Sequence, residues 1–374
     1  MARILLVTHI YPPAIDGGSR VISKIGDYLQ KHNHQILVLT SDSRSTDDFT
    51  HHYTPISQKN LHILRLPVYT IFHRPLKHIS VTLSKGPLFK IFPFLKALKN
   101  IIDFSPDLII AGPLPTTIIL YANLFKKLTR AKLLINPCFH PTDPDFNGYV
   151  LHKILKAADY IWTLTKFETD YFQNQLNIPK LKLLLLENGI DSQLLLKKEK
   201  CINQKHLNLL YIGSFAAHKG LETLIDAFKL LPKNFSLTLA GQPTLFFPTI
   251  KKLLNQHIKV IPNFPPSQLT RLLDAANILI LPSSQESFGL VLIEALARKT
   301  PIITSDIPSL TEIVLKTGGG LTFKLGNPGN LALQIQKLIS HPKLQKSFGE
   351  NGFAYVSAHY TWDKIGKNLC QKLF

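Results

Sequence analysis

Short apolar runs of strand length alternate with stretches of helical length along the whole chain of 374 residues. Such runs are typical of strands in a parallel sheet, whose two faces are both covered by helices. The pattern predicts six strands in the first half, near residues 4–8, 35–40, 61–66, 107–111, 132–136 and 160–164. It predicts six more in the second half, near 207–213, 236–241, 258–262, 278–282, 301–304 and 321–323. The sequence therefore predicts an α/β fold with two doubly wound domains.

The chain length also favours two domains, because a chain of this size exceeds one comfortable hydrophobic core. A turn sequence at residues 188–191 precedes a polar, lysine-rich stretch at 197–205, which we interpret as a linker. We therefore predict a first domain over residues 1–190 and a second over 191–360. A C-terminal helix over about 361–374 is expected to pack back on the first domain. Ligands bind such sheets at the carboxyl ends of the strands, so we expect the site in the cleft between the domains.

Cysteine usage and the N-terminus bear on where the protein works. The three cysteines, Cys138, Cys201 and Cys370, have no paired spacing, which argues against a disulfide framework or a zinc site and fits a reducing compartment. The first strand begins within three residues of the N-terminus, which leaves no room for a signal peptide. No apolar run is long enough to span a bilayer. We therefore expect a cytoplasmic location.

One predicted helix, residues 290–297, is apolar on nearly all sides yet contains Glu294. An unpaired charge buried there would be costly, so this carboxylate is expected to face a polar ligand or a fixed donor. Glu286 precedes the helix, where free backbone N–H groups and the helix dipole favour an anion such as phosphate. Either acid alone is more often a structural residue. Together they predict a site for phosphate and hydroxyl groups.

Residues 283–297 resemble the E-x7-E signature of the retaining family-4 glycosyltransferases (glycosyl transferases group 1), with Glu286 and Glu294 as the two acids. The flanks agree, because the strand before the motif ends in Pro-Ser, as it does in that family. The resemblance extends over about residues 3–370. It implies a GT-B fold, in which the first Rossmann-like domain binds the acceptor and the second binds a nucleotide-sugar donor.

Loops after the first strand of each domain resemble the same family. Gly17 and Gly18, ahead of a helix predicted from about Val21, match a Gly-Gly loop whose amides lie near the donor phosphate and the acceptor. A Gly-Gly turn alone is more often simple turn geometry. In the second domain, Lys219 matches a lysine that binds the donor diphosphate. The family's usual arginine is replaced here by Ser214, so one of two positive charges is missing.

Other strand ends carry further matches. His140 resembles a histidine that the family holds close to the donor sugar; without that context, a loop histidine is more often structural. Gly241, Asn263 and Phe264 resemble the strand ends that frame the base. Residues 360–363 resemble the start of the family's last helix.

The resemblance implies transfer of a hexose from a nucleotide diphosphate sugar to an acceptor hydroxyl, with retention at the anomeric carbon. Amides and Lys219 would stabilise the departing diphosphate, so neither a metal nor another cofactor is expected. The predicted catalytic residues are Glu286, His140 and Lys219. The predicted donor-binding residues are Gly17, Gly18, Gly213, Ser214, Lys219, Gly241, Asn263, Phe264, Phe288, Gly289, Leu290, Val291 and Glu294.

The formal net charge of +19 raises the question of an anionic partner. No acidic residue occurs between Asp48 and Asp103, where aromatic and aliphatic residues are interleaved with basic ones. The basic residues are Lys59, Arg65, Arg74, Lys77, Lys85, Lys90, Lys96 and Lys99. This mixture favours an amphipathic element on an anionic membrane surface, although an ordinary solvated face is the alternative. No nucleic-acid-binding motif accompanies the charge, so nucleic acid is not expected as a partner.

These features predict a peripheral protein on the inner face of the cell membrane that glycosylates a glycan or a lipid-linked glycan. The process would be cell-envelope glycan, lipopolysaccharide or glycolipid synthesis. Two alternatives remain at this stage. One is a sugar-nucleotide epimerase of the same fold. The other is a membrane-surface binding protein without turnover, which requires the replacement at Ser214 to be disabling.

Overall fold

The structure is a computed structural model that describes residues 1–13, 17–43, 62–69, 88–114, 116–140, 149–196 and 207–374. The chain divides into two compact units, one formed by Met1–Glu187 with Gly366–Phe374 and the other by Asn188–Ile365. This division lies close to the boundary that the sequence analysis places after Ile190. The predicted linker, at residues 197–205, lies outside the described residues.

The first unit contains a seven-stranded parallel sheet in the order β3-β2-β1-β4-β5-β6-β7. Its strands are β1 (Arg3–Val7), β2 (Gln35–Ser41), β3 (His62–Leu66), β4 (Leu108–Ala111), β5 (Lys132–Ile135), β6 (Tyr160–Thr163) and β7 (Leu183–Leu185). Its helices are α1 (Gly17–Lys31), α2 (Ile91–Phe104), α3 (Ile118–Thr129), α4 (Tyr149–Ala157) and α5 (Lys166–Asn174). The central strands β1 and β4 are buried along most or all of their length, as expected for a sheet covered on both faces.

The second unit contains a six-stranded parallel sheet in the order β10-β9-β8-β11-β12-β13. Its strands are β8 (Leu207–Ile212), β9 (Phe235–Gly241), β10 (Ile258–Pro262), β11 (Ile278–Leu281), β12 (Ile302–Ser305) and β13 (Gly320–Phe323). Its helices are α6 (Leu221–Lys229), α7 (Phe247–Lys251), α8 (Leu269–Ala275), α9 (Leu290–Ala297), α10 (Pro308–Thr317), α11 (Pro328–Ser340) and α12 (Pro342–His359). The last helix, α13 (Trp362–Leu373), begins in this unit, and its residues from Gly366 belong to the first.

All of the strands predicted from the sequence are present, which confirms the alternating pattern. The short strand β7 was missed, because three residues are fewer than a typical strand-length run. Helix α1 begins at Gly17, earlier than the predicted start at Val21. Within the described residues, no helix is long and apolar enough to cross a membrane.

Each sheet has one point at which the direction of strand order reverses. In the first unit it lies between β1 and β4, and in the second between β8 and β11. Loops that leave the carboxyl ends of such strand pairs run in opposite directions and leave a crevice, where doubly wound domains bind ligands. Each unit therefore has one crevice of this kind at the carboxyl ends of its strands.

Candidate active site

At the reversal point of the second unit, the loops after β8 and β11 are in close contact. Gly220 has a φ of 67°, and a Cβ atom placed on it would lie 2.1 Å from the Pro282 carbonyl oxygen. Ser284 donates its backbone N–H to the His218 carbonyl at 2.8 Å, and its hydroxyl donates to the same oxygen at 3.1 Å. Only glycine combines this backbone conformation with so close an approach. These contacts bring the segment before α9 against the loop that carries Lys219.

Lys219 and Glu286, both predicted as catalytic, form an ion pair between these two loops. The Lys219 ammonium donates to Glu286 Oε2 at 2.6 Å, and the two side chains are 16% and 15% exposed. The Ser309 hydroxyl donates to the backbone carbonyl of Glu286 at 2.6 Å and fixes its main chain. An opposite-charge pair this sheltered from water interacts more strongly than a surface pair.

Ser214, which stands where the family has an arginine, follows β8 in the same region. Its backbone carbonyl accepts a hydrogen bond from the Tyr211 hydroxyl at 2.7 Å. Burial, together with the negative charge of Glu286, raises the pKa of Tyr211 well above its ordinary value. Tyr211 is thus a neutral donor that holds the loop backbone and stays protonated beside the acid. Tyr211 was not among the site residues predicted from the sequence.

Helix α9 begins at Leu290, directly after Gly289, which has a φ of 79°. The N–H groups of Leu290 and Val291 have no partner earlier in the helix, as in any first helical turn, and they provide donors for an anion. Phe288 is buried, with its ring 5.8 Å from that of Tyr360, so only its backbone could reach a ligand. Glu294 lies in the second turn of α9 and is 4% exposed.

Four further predicted residues lie at adjacent strand ends: Gly213, Gly241, Asn263 and Phe264. A Cβ on Gly241 would lie 1.7 Å from the Gly213 carbonyl oxygen, so these two backbones are in contact. Gly213 donates its N–H to the Ala240 carbonyl at 3.0 Å, and Asn263 donates to the Gly241 carbonyl at 2.9 Å. Phe264 follows and is half-buried. The carboxyl ends of β8, β9 and β10 thus form one continuous edge.

The first unit contains only Gly17, Gly18 and His140 from the predicted set. Gly17 and Gly18 form the start of α1, and a Cβ on Gly18 would lie 2.8 Å from two ring carbons of Pro113, in the loop after β4. The loops on the two sides of this reversal point are therefore also in contact. Among the residues that the structure describes, no atom lies within 4 Å of a Cβ placed on Gly17.

His140 lies in the segment after β5 and is half-buried. The residue before it, Phe139, is buried and donates its backbone N–H to Glu168 Oε1 at 3.3 Å. Glu168 was not predicted as a site residue. The pattern Thr165-x-x-Glu168 is a helix-start signature that could have drawn attention to it.

Arg65, on β3, is a third residue whose role was not predicted from the sequence. Its guanidinium donates to the Tyr11 carbonyl at 3.3 Å and also to the Pro12 carbonyl. It therefore holds the segment after β1 that leads to the Gly-Gly start of α1. Arg65 was predicted as one of the cations of a membrane-facing surface, whereas its guanidinium contacts this segment of the protein.

Part of this chain is similar in sequence to known proteins. Residues 193–355 match the family model of glycosyl transferases group 1. An uncharacterized glycosyltransferase of Methanocaldococcus jannaschii is 30% identical over 203 residues, which cover 52% of this chain and 54% of that protein. The chain thus matches about half the length of this relative.

Two solved structures match nearly the whole chain. Sucrose-phosphate synthase from Thermosynechococcus elongatus has a TM-score of 0.80 at 20% identity, covering 99% of this chain and 98% of that one. HepE of Anabaena, in complex with UDP and glucose, has a TM-score of 0.79 at 16% identity, covering 100% and 99%. The chain has the GT-B fold. The matched family model and the name of the relative are those of glycosyltransferases, and neither is that of an epimerase.

Proposed function

We propose that the protein is a retaining glycosyltransferase that moves a hexose from a nucleotide diphosphate sugar to an acceptor hydroxyl. The observation that carries the proposal is the Lys219–Glu286 ion pair at 2.6 Å, which lies between the β8 loop and the segment leading to α9. This arrangement places a cation and an acid beside a helix start that offers backbone donors. A departing diphosphate needs the cation and the backbone donors, and the hydroxyls of a sugar need the acid as a hydrogen-bond acceptor.

In the proposed mechanism, Lys219 and the amides of Leu290 and Val291 stabilise the negative charge that develops on the leaving diphosphate. Glu286 accepts hydrogen bonds from the transferred sugar, and Glu294 accepts from the ribose hydroxyls of the donor. Charged hydrogen bonds of this kind contribute about 1.5–3 kcal/mol each. The leaving phosphate assists deprotonation of the acceptor, and His140 lies near the donor sugar.

Nucleotide binding tests the donor site without knowledge of the acceptor. Thermal unfolding with UDP, GDP, ADP and CMP should show a rise in Tm for one nucleoside diphosphate, since a ligand at a hundred times its Kd adds about 2.7 kcal/mol. UDP is the first probe, because HepE was solved with it. Glu294→Ala should abolish the rise. The donor assignment is wrong if no nucleotide at millimolar concentration shifts the wild type.

Transfer itself tests the reaction type. With the hexose donor of the nucleotide that binds, and a panel of glycan and glycolipid acceptors, proton NMR of the product should show the anomeric configuration of the donor. Inversion would contradict the proposed stereochemistry. Transfer should also continue in EDTA, because Lys219 and the amides provide the charge stabilisation. Strict dependence on Mg²⁺ or Mn²⁺ would instead require metal-assisted departure of the diphosphate.

We further propose that α2 of the first unit binds an anionic membrane surface, so that a lipid-linked glycan reaches the site. Four large apolar side chains on α2 are exposed: Ile91 by 60%, Phe92 by 86%, Leu95 by 53% and Ile102 by 46%. Lys96 and Lys99 are exposed on the same helix. Each basic residue near an anionic surface contributes about 1 kcal/mol, and buried apolar area adds to it. Of the other predicted cations, Lys59, Arg74, Lys77 and Lys85 lie outside the described residues.

Vesicle flotation tests this surface. Wild type should float with phosphatidylglycerol vesicles at low salt and less at high salt, and Lys96→Glu with Lys99→Glu should prevent flotation. Lys343 and Lys346 have the same spacing on exposed positions of α12, so their change to Glu is a control matched in charge. If that control lowers flotation as much as the α2 change, net charge rather than α2 is responsible.

Membrane binding through α2 is the basis for the proposed cellular role. It supports a peripheral location on the cytoplasmic face and an acceptor in cell-envelope glycan, lipopolysaccharide or glycolipid synthesis. If wild type fails to float at low salt, a soluble acceptor becomes the better proposal.

A further inference from the structure

We propose that Glu168 is a positioning residue that fixes the loop carrying His140, with α5 as the support on which this loop rests. The proposal deepens the proposed function, because it rests on the role assigned there to His140. Glu168 belongs to the first turn of α5, and no ligand contact is assigned to it. Its effect on the reaction would be indirect, through the backbone of the residue before His140.

The carboxylate of Glu168 joins two separate segments. Oε2 accepts the backbone N–H of Leu164, after β6, at 2.6 Å, and Oε1 accepts the N–H of Phe139 at 3.3 Å. Glu168 is 2% exposed. Buried carboxylate hydrogen bonds of this type are strong and directional, because water does not compete for either partner.

Aromatic packing provides a second contact between the same loop and the same helix. The Phe139 ring lies 4.6 Å from the Tyr171 ring and 5.0 Å from the Phe172 ring, measured between centroids. Phe139 and Phe172 are both buried. The main chain and the side chain of Phe139 are therefore both held by α5, and His140 is the next residue.

The earlier part of the loop is held by other groups. Leu114 donates its N–H to the Pro137 carbonyl at 3.1 Å, and Cys138 Sγ donates to Asn136 Oδ1 at 3.0 Å. Cys138 has a φ of 48°, a left-handed conformation that turns the chain toward α5. These contacts fix the loop from Asn136 to Cys138, and the contacts with α5 fix the next residue, Phe139. A small displacement of a group that contacts a reacting substrate can lower the rate about 100-fold.

Glu168 also stabilises the start of α5, and this local role is distinct from its support of the loop that carries His140. The Thr165 hydroxyl accepts the Glu168 N–H at 3.1 Å, so both residues stabilise the start of α5. Thr165→Ala removes that cap and leaves the carboxylate in place. Glu168→Gln keeps the size of the side chain but has only one oxygen, so its NH₂ group must face one of the two backbone N–H donors. The two variants disturb the same helix start but only one disturbs the loop.

Steady-state kinetics with the donor identified above supply the first test. Glu168→Gln should lower kcat about 10- to 100-fold while the KM for the donor changes less than about threefold. Thr165→Ala should keep kcat within about twofold of wild type. Equal values of kcat for the two variants would show that Glu168 only caps α5 and would overturn the proposal.

A double-mutant cycle then tests whether Glu168 acts through His140. If it does, the double variant of His140→Ala and Glu168→Gln should be no slower than His140→Ala alone. Multiplicative losses in kcat would mean that Glu168 acts by another route.

Alkylation of Cys138 gives a readout of the loop that does not depend on activity. With Cys201 and Cys370 changed to Ser, Glu168→Gln should speed the reaction of Cys138 with iodoacetamide several-fold, and Thr165→Ala should not. If His140→Ala is fully active but this increase occurs, the loop support is real and the proposed role of His140 is wrong. If His140→Ala is slow and Glu168→Gln changes neither kcat nor the alkylation rate, the proposed function stands and the role of Glu168 is wrong.

Discussion

The two units are built on the same plan at the point where their strand order reverses, and they differ in what holds that point together. In each, a glycine after the first strand contacts a proline after the neighbouring strand: Gly18 with Pro113 in the first unit and Gly220 with Pro282 in the second. The contact in the second unit is closer and involves a backbone oxygen. Both glycines allow two loops to approach without an intervening side chain.

The difference lies in the charged side chains. In the second unit, the ion pair that joins the loops is made by Lys219 and Glu286, which are themselves candidate site residues. In the first unit, Arg65 and Glu168 hold loop backbones, and the candidate residues Gly18 and His140 are carried by those loops. The second unit thus combines support and chemistry in the same side chains, whereas the first separates them.

This difference predicts that substitution of a supporting charge affects the reaction most in the second unit. Lys219→Ala removes the cation proposed for the leaving group and leaves Glu286 without its 2.6 Å partner. We expect kcat to fall by about 10²- to 10³-fold, the cost of removing one preorganised charge-stabilising donor. Steady-state kinetics with a saturating acceptor measure this effect.

Lys229 provides the matched control in the same unit. It pairs with Asp226 at 2.8 Å, but both side chains are about half exposed, at 45% and 52%. Exposed pairs contribute at most about 1 kcal/mol to stability, so Lys229→Ala should leave kcat within about twofold of wild type. An equal loss in both variants would show that the sheltered pair has no special role.

The glycine contacts can be compared directly. Gly220→Ala combines a left-handed φ of 67° with a Cβ 2.1 Å from a backbone oxygen, and it should lower the free energy of unfolding by about 3 kcal/mol. Gly18→Ala meets the Pro113 ring at 2.8 Å without that conformation, and about 1–2 kcal/mol is expected. Gly17→Ala, where no atom of the described residues lies within 4 Å of the added Cβ, is the control and should be close to neutral.

Urea unfolding can assign these effects to the correct unit because the chain has two tryptophans. Trp162 lies in the first unit and Trp362 in the second. Changing either one to Phe leaves the other as the fluorescent reporter of its own unit. The comparison between the units fails if Gly18→Ala destabilises its unit as much as Gly220→Ala destabilises the other.

The parts of the fold that could be predicted are those determined by contiguous residues. Strands buried on both faces require unbroken apolar runs, and these are visible in the sequence at β1, β4 and β11. The pairing of Lys219 with Glu286 was not predicted. However, both residues were selected because each lies in a local pattern at the end of a strand.

The contacts of Arg65 with Tyr11 and Pro12, and that of Glu168 with Phe139, could not be predicted in the same way, because these backbone partners are remote in sequence. Each of the two charged residues has the appearance of an ordinary surface charge, and Arg65 was counted as part of a membrane surface. The start of α1 was also misplaced, for a different reason. Gly17 and Gly18 have low helix propensity, and the structure places this glycine pair in the first turn, where Gly18 contacts Pro113.

A smaller effect is expected for the supporting charge of the first unit. Arg65→Met removes the guanidinium that donates to the carbonyls of Tyr11 and Pro12. Hydrogen bonds from charged groups are worth about 1.5–3 kcal/mol when buried, and because Arg65 is only half-buried we expect a loss of about 2 kcal/mol in the stability of the first unit. Vesicle flotation should be unchanged, because this side chain contacts the protein.

Arg3 is the control for Arg65. It lies on β1 of the same unit, and its ion pair with Asp107 spans 3.9 Å between side chains that are 44% and 52% exposed. Arg3→Met should change stability by less than about 1 kcal/mol. If Arg65→Met lowers flotation as much as the Lys96 and Lys99 change, our assignment of Arg65 to the loop is wrong.

The smallest effect concerns two buried tyrosines, Tyr11 after β1 in the first unit and Tyr211 on β8 in the second. Burial, with a contribution from the charge of Asp27, raises the pKa of Tyr11 to about 12. The unfolded chain loses this proton near pH 10 and the folded protein does not, so the stabilisation is complete below pH 10 and is lost as pH rises toward 12.

The free energy of unfolding of wild type should therefore fall relative to that of Tyr11→Phe by about 1.4 kcal/mol between pH 9 and pH 11. Tyr211→Phe gives the same test in the second unit, with the same sign, because burial and then Glu286 raise the pKa of Tyr211. Urea unfolding with the single-tryptophan reporters measures each unit. Because the charge of Glu286 contributes to the raised pKa of Tyr211, Glu286→Gln should lower the pKa of Tyr211 and leave the pKa of Tyr11 unchanged. Curves for wild type and Tyr11→Phe that stay parallel up to pH 11 would show that Tyr11 ionises in the folded protein as it does in the unfolded chain.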